Sequence, residues 1–262
     1  MYNEKFKSIV NDAKIFFIKD LLSNCTNFYN ECANRIMFVK DDKVEFRNEP
    51  YKKEDLKEGV KKVVIILESP HKDEYIENGN PIVLPICANG RTGEKIQEYI
   101  CEILYTHLSI NKTEAVEVII INAVKYQCSQ GLSTEILRDF TWLKCWYNFG
   151  YSETLNFLTE IAPSIIINCC TKGSHFLSNG KTPVRKKYIE EVLGINDIYN
   201  YNGIQFYKQQ KTNEYSLREL VNNCILQYKK DNKEVLLYRC VHPSTWITTF
   251  PVNEFEEVGE NV

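Results

Sequence analysis

The chain is 262 residues long, enough for one large domain with an appended segment. Apolar residues make up 44% of it, which supports a sizeable core, yet no run reaches the roughly 18 uncharged residues that a membrane helix needs. The formal charge of −3 argues against a polyanionic partner only until Glu254, Glu256, Glu257 and Glu260 are set aside, because the body without them stands near +1.

Residues 4 to 24 repeat apolar positions at Phe6, Ile9, Val10, Ala13, Phe16, Phe17, Leu21 and Leu22, which predicts an amphipathic helix packed on the main body. The same stretch lacks the basic start, apolar centre and small-residue site of a signal peptide, so a cytoplasmic protein is expected. Arg35 to Val39 and Val44 to Phe46, on either side of Asp41-Asp42, read as a short hairpin. Helix and hairpin form an N-terminal extension over 1–60, followed by a body over 61–252 and an acidic tail over 253–262.

Within the body, Val63 to Leu67, Val118 to Ile121 and Ile165 to Ile167 are continuous β-branched or aliphatic runs, and Val235 to Tyr238 is a weaker one. Such runs suit parallel strands covered on both faces. Helical patterns lie at Gly93 to Leu104, Thr134 to Trp146, Ser152 to Ile161, Pro183 to Leu193 and Ser216 to Tyr228, and Asn202-Gly203 marks a hairpin turn within Ile198 to Lys208. The alternation predicts an α/β fold, a three-layer α/β/α arrangement around a mainly parallel four-stranded sheet. Ten cysteines with no Cys-x-x-Cys and no export signal read as reduced thiols rather than as a disulfide framework or a zinc ribbon. Basic clusters at Lys61-Lys62, Arg185-Lys186-Lys187 and Lys229-Lys230 suit a phosphate-binding face or a solvated surface equally.

Each strand run ends in polar residues. Glu68 and His71 flank Pro70 after the first run, and Asn122 follows the second. Asn168 to Ser174 after the third reads as a flexible polar loop able to hold a phosphate, and His242-Pro243-Ser244-Thr245 follows the last. In a parallel sheet these ends share one rim, where open α/β folds gather ligands.

The order of these motifs resembles the uracil-DNA glycosylase superfamily. Leu67-Glu68-Ser69-Pro70-His71 is similar to the first motif of its iron-sulfur branch, while Ile119 to Val124 and His242 to Trp246 are similar to the second and last motifs of its best-known branch. The resemblance implies a DNA glycosylase that flips out a deaminated or modified base and hydrolyses its N-glycosidic bond. Glu68 would orient water and steady the sugar cation, and His242 would stabilise the leaving base. Asn122 would read the base edge in a pocket lined by His71, Ile86 and Cys87. Ser69, Lys125, Lys172, Ser174, Ser244 and Thr245 would hold DNA phosphates. Trp246 or Ile247 would wedge into the duplex, with core packing as the alternative for Trp246.

Several positions depart from the family pattern. Leu67 replaces a glycine, and Pro85 to Ala88 carries no aromatic residue where one stacks on uracil in the best-known branch. A bulky modified base, as in phage DNA, is therefore a second substrate class beside the uracil type, and a non-catalytic DNA- or protein-binding member is a third reading. No cofactor is expected. Cys128 and Cys145 have suggestive spacing for an iron-sulfur cluster, but Cys25 and Cys32 are too far apart for the usual pair and Tyr126 stands where a ligand cysteine belongs. DNA is the expected partner, with no membrane, and the sequence names neither a protein partner nor an oligomeric state.

Overall fold

A computed structural model describes residues 2–17, 28–77, 79–131, 138–173, 216–246 and 255–258. The helix expected at 183–193, the hairpin at 198–208, Ser174 and Ile247 lie outside the described residues.

The chain is mixed α/β. Its main sheet takes in β1 (Arg35–Lys40), β2 (Lys43–Phe46), β3 (Lys61–Leu67), β6 (Val116–Asn122), β7 (Ile165–Asn168), β8 (Leu236–Arg239) and β9 (Glu256–Glu257), in the order β2-β1-β6-β3-β7-β8-β9. A separate two-stranded ribbon joins β4 (Ile76–Glu77) to β5 (Asn80–Pro81). The main sheet therefore has seven strands where the four apolar runs predict four. The four expected strands are its parallel centre, β6-β3-β7-β8. The Arg35–Phe46 hairpin pairs antiparallel with β6, and two residues of the acidic tail pair antiparallel with β8. Asp41 and Asp42 both have positive φ, the backbone of a two-residue hairpin turn whose twist matches the strands it joins.

Strand alternation divides the core. Val63, Ile65, Leu67, Val118, Ile120, Ile165 and Ile167 pack in one cluster with Ile96, Ile100 and Ile103 of the α2 (Arg91–Glu102) region. Val64, Ile66, Ile119, Ile121 and Ile166 pack in the other with α1 (Tyr2–Phe17), α3 (Arg138–Cys145), α4 (Tyr151–Ile161) and α5 (Leu217–Asp231). Burial of each such aliphatic side chain stabilises the fold by about 1.5–3 kcal/mol. Ser216 caps α5 by accepting from the Glu219 N–H at 3.3 Å, and Ala162 ends α4 in a left-handed conformation just before Pro163.

A π turn at Trp146–Gly150 joins α3 to α4 with helical backbone on both sides. The joined helix grips both central strand ends: Trp142 Nε1 donates to the Glu68 carbonyl at 2.9 Å, and Thr154 Oγ1 donates to the Ala123 carbonyl at 3.4 Å. Gly150 allows the close approach, since a Cβ there would lie 3.1 Å from the Ala123 oxygen. Extra helical residues of this kind recur at functional sites because they re-aim side chains without ending the helix.

Candidate active site

Proline at position 70 ends β3 and turns the chain into a loop, leaving Glu68 at the rim of the sheet but only 4% exposed. The Glu68 side chain leaves on the α3 side. Arg138 Nε lies 3.3 Å from its Oε1, and the Thr171 hydroxyl donates to its Oε2. Arg138 in turn lies 2.9 Å from Asp139 Oδ1. Burial raises the Glu68 carboxyl above the ordinary range, while Arg138 and the Thr171 hydrogen bond pull it back. For Arg138, burial works against its charge, and the two carboxylates beside it more than offset that.

At the end of β8, His242 is half-buried and caps a short turn over Pro243–Thr245. The Ser244 N–H donates to its Nδ1 at 3.3 Å, and Ser244 Oγ lies 2.9 Å from the same atom. A ring nitrogen that accepts from a backbone N–H carries no proton, so the neutral ring holds its proton on Nε2. Burial drives the imidazole down to about 4, and the charges of Arg138, Arg218 and His71 add to the effect. His242 is thus a neutral N–H donor throughout the physiological range, set among cations.

Asn122 occupies the last position of β6, 3% exposed and in register with Leu67. It therefore turns to the face opposite Glu68, where its amide acts on the Cys32 thiol. Apart from that thiol, neither its Oδ1 nor its Nδ2 has a hydrogen-bond partner. A buried carboxamide without partners costs about 1–3 kcal/mol, and such cost is tolerated where a ligand completes the bonding. The wall beside it comes from two segments that pair locally: Cys32 N donates to Lys125 O, and Cys87 N donates to Ala33 O, both at 2.8 Å. Glu74 fastens this wall, accepting from the Cys32 thiol at 3.3 Å and from the Ala88 N–H at 3.2 Å. Burial raises its carboxyl to about 8.

The remaining expected residues divide. His71 is exposed, with its Nδ1 3.1 Å from Asp73 Oδ2, and still contributes to the field at His242. Ser69 and Ile86 are half-buried, whereas Cys87 is fully enclosed. Lys172 and Thr245 are exposed, with the Thr245 hydroxyl donating to the His242 carbonyl at 2.7 Å. Lys125 faces Glu153 at 3.9 Å. The loop after β7 is less open than its composition implies, for Cys169 and Cys170 are fully buried and Asn168 is tied to Asn222, Arg218 and the Cys170 N–H. Trp246 is 1% exposed, donates to the Val241 carbonyl at 3.1 Å and meets Tyr99 edge to face. It takes the packing role on α2 and is not available as a wedge.

Arg138 and Arg218 escape the motif reading, and Thr171 enters it only as part of the polar loop over Asn168 to Ser174, not as a partner of Glu68. Arg138-Asp139, a charge pair inside an otherwise apolar helical stretch, is the signal that marks the first of them; Thr171 and Arg218 carry no such mark. The nine described cysteines are free thiols, and among the described residues no group of three or more His, Cys, Asp or Glu side chains is placed to hold a metal ion. Cys128 and Cys145 do meet through their thiols, Cys32 is engaged by Glu74 and Tyr126 by Glu31, and Cys25 lies outside the described residues. No described helix is long and apolar enough to cross a membrane. No family model matches the chain, and no curated protein or solved structure matches it.

Proposed function

We propose that the chain is a divergent member of the uracil-DNA glycosylase superfamily, built on a three-layer α/β/α body, and that it hydrolyses the N-glycosidic bond of a flipped-out base in DNA. The observation that carries this reading is the setting of His242. An imidazole whose Nδ1 accepts from the Ser244 N–H, in the field of Arg138 and Arg218, suits a leaving group on which negative charge grows. Base release by glycosidic cleavage has that charge development, with positive charge growing on the sugar.

Glu68 complements it. Its ionised carboxylate, steadied by Arg138 and Thr171, orients water and offsets the charge on the sugar ring. Asn122 supplies an unused donor and acceptor for the edge of the extruded base. Extrusion costs a few kcal/mol and is least for a damaged or mispaired base. The aliphatic and thiol wall of Ile86 and Cys87 lacks a stacking ring, which favours a substrate other than plain uracil, and a modified base of phage DNA belongs to that class.

Mass spectrometry of bases released from a panel of natural, deaminated and modified DNAs tests the reading. Release of one base by the wild-type protein, with loss in Glu68→Gln and His242→Ala, is the expected result. Undiminished release by both variants sinks the mechanism, and DNA binding without release from any substrate turns the reading to a non-catalytic module.

A further inference from the structure

Among the described residues three large apolar side chains are exposed: Val83 at 90%, Leu84 at 53% and Leu236 at 40%. Leu236 opens β8 and so lies at the rim opposite the site. Val83 and Leu84 form a tip on the functional side, and the tip is held at both ends. Ile82 N donates to Tyr75 O at 2.7 Å on one side, and Ala33 N donates to Pro85 O at 2.8 Å on the other. Pro81 and Pro85 bracket it, removing N–H donors that would let it extend the β4–β5 ribbon. Two residues beyond Pro85, Cys87 pairs with Ala33 and lies near Cys32, the residue whose thiol meets Asn122. The apolar tip and the base-reading wall are one continuous, fastened segment.

We propose that Val83 and Leu84 are the wedge that enters the base stack of duplex DNA when a nucleotide is extruded toward Asn122. This rests on the nucleic-acid reading above and fills the role that Trp246, enclosed in the core, leaves open. The size of the tip selects the partner. Two aliphatic side chains fall far short of the roughly 1,200–2,000 Å² that a stable protein interface buries. A wedge between base steps needs only one or two such side chains, and its fixed backbone spends no ordering entropy at insertion.

The test uses the full chain and its Val83→Ser/Leu84→Ser double variant with an oligonucleotide carrying a tetrahydrofuran abasic analogue next to 2-aminopurine. The same strand is used alone and in duplex, with phosphatidylglycerol vesicles as a third target. Duplex affinity of the variant is expected to fall about tenfold or more with loss of the 2-aminopurine brightening, while single-strand affinity stays within about twofold. Equal change on both DNA forms, or no change on either, overturns the wedge. Loss of vesicle binding with duplex affinity intact assigns the tip to a lipid surface instead and overturns it as well. A wild-type protein that shows the duplex-selective loss but releases no base keeps the wedge and removes the glycosylase reading; one that releases base with no effect of the variant does the reverse. Failure to bind either DNA form removes both.

Discussion

Arg138 sets its Nε 3.3 Å from Oε1 of Glu68, with 11% of the arginine side chain and 5% of the glutamate side chain in contact with solvent. In so dry a setting the pair matters less for net stability than for the state in which it keeps the carboxylate, because desolvation offsets much of the attraction.

Replacing Arg138 by Met therefore leaves Glu68 buried without its cation. Stability is expected to fall by about 3–5 kcal/mol, and Glu68→Gln in the same chain is expected to recover most of it. Urea unfolding of the two single variants and the double variant measures this. Additive losses would show that the two side chains act independently.

The pH profile of base release follows from the same two groups. Glu68 acts as a carboxylate and its pKa is raised, so activity is expected to fall on acidification earlier than for an ordinary glutamate. His242 acts neutral and is held at about 4, so no second inflection is expected near the usual histidine value. A kcat/KM profile with a limb at about 6.5, removed by His242→Gln, would contradict this assignment.

Asn122→Leu separates folding from function. Its amide loses only its contact with the Cys32 thiol, so the variant is expected to stay within about 1 kcal/mol of the wild type in stability. Base release is expected to drop about 10- to 100-fold, the worth of a two-point contact to a base edge. Thermal melting and the release assay on one preparation check both statements. A destabilised Asn122→Leu that still releases base at the wild-type rate would make the residue structural.

Glu74 gives a stability signature. Its folded pKa of about 8 exceeds the unfolded value, so the folded state holds a proton that the unfolded chain gives up. The stability that Glu74 contributes is fully present below the unfolded value and is lost as pH rises toward 8, by on the order of a few kcal/mol. Cys32, Cys87, Arg35 and the Ala88 N–H face the carboxyl and take part in the balance. Above about pH 7.5 His242 is nearly all neutral in both states and contributes little slope. Urea melts between about pH 7 and 8 are expected to show a decline in wild type that is much shallower in Glu74→Gln; parallel lines would assign the slope to another group.

The parallel centre of the sheet was legible because Val63–Leu67, Val118–Ile121 and Ile165–Ile167 leave no polar position for a solvent face. The flanking strands were not. Arg35 to Phe46 reads correctly as a hairpin, but nothing in its alternation says that β1 will lie beside β6, and Glu256-Glu257 has no apolar pattern, its place beside β8 coming from backbone bonds and the Arg239–Glu256 ion pair. At the rim, Glu68, Asn122 and His242 could be picked out because each interrupts an apolar run. Arg138 and Thr171 reach Glu68 from elements distant in sequence, a placement that only the packing of α3 and the path of the β7 exit decide. Trp246 left two readings open in the sequence, and its place against Tyr99 and the Val241 carbonyl is the packing one.

Leu67 and Asn122 stand side by side while Glu68 turns away across the end of β3. The sheet edge thus acts as a partition. The long helix tends the Glu68 side, and the hairpin and the Pro85–Ala88 segment tend the Asn122 side. On the proposed reading, a change of preferred base can be acquired on the Asn122 side without retuning the carboxylate on the other, which would let such a scaffold track a changing target at little cost to its chemistry.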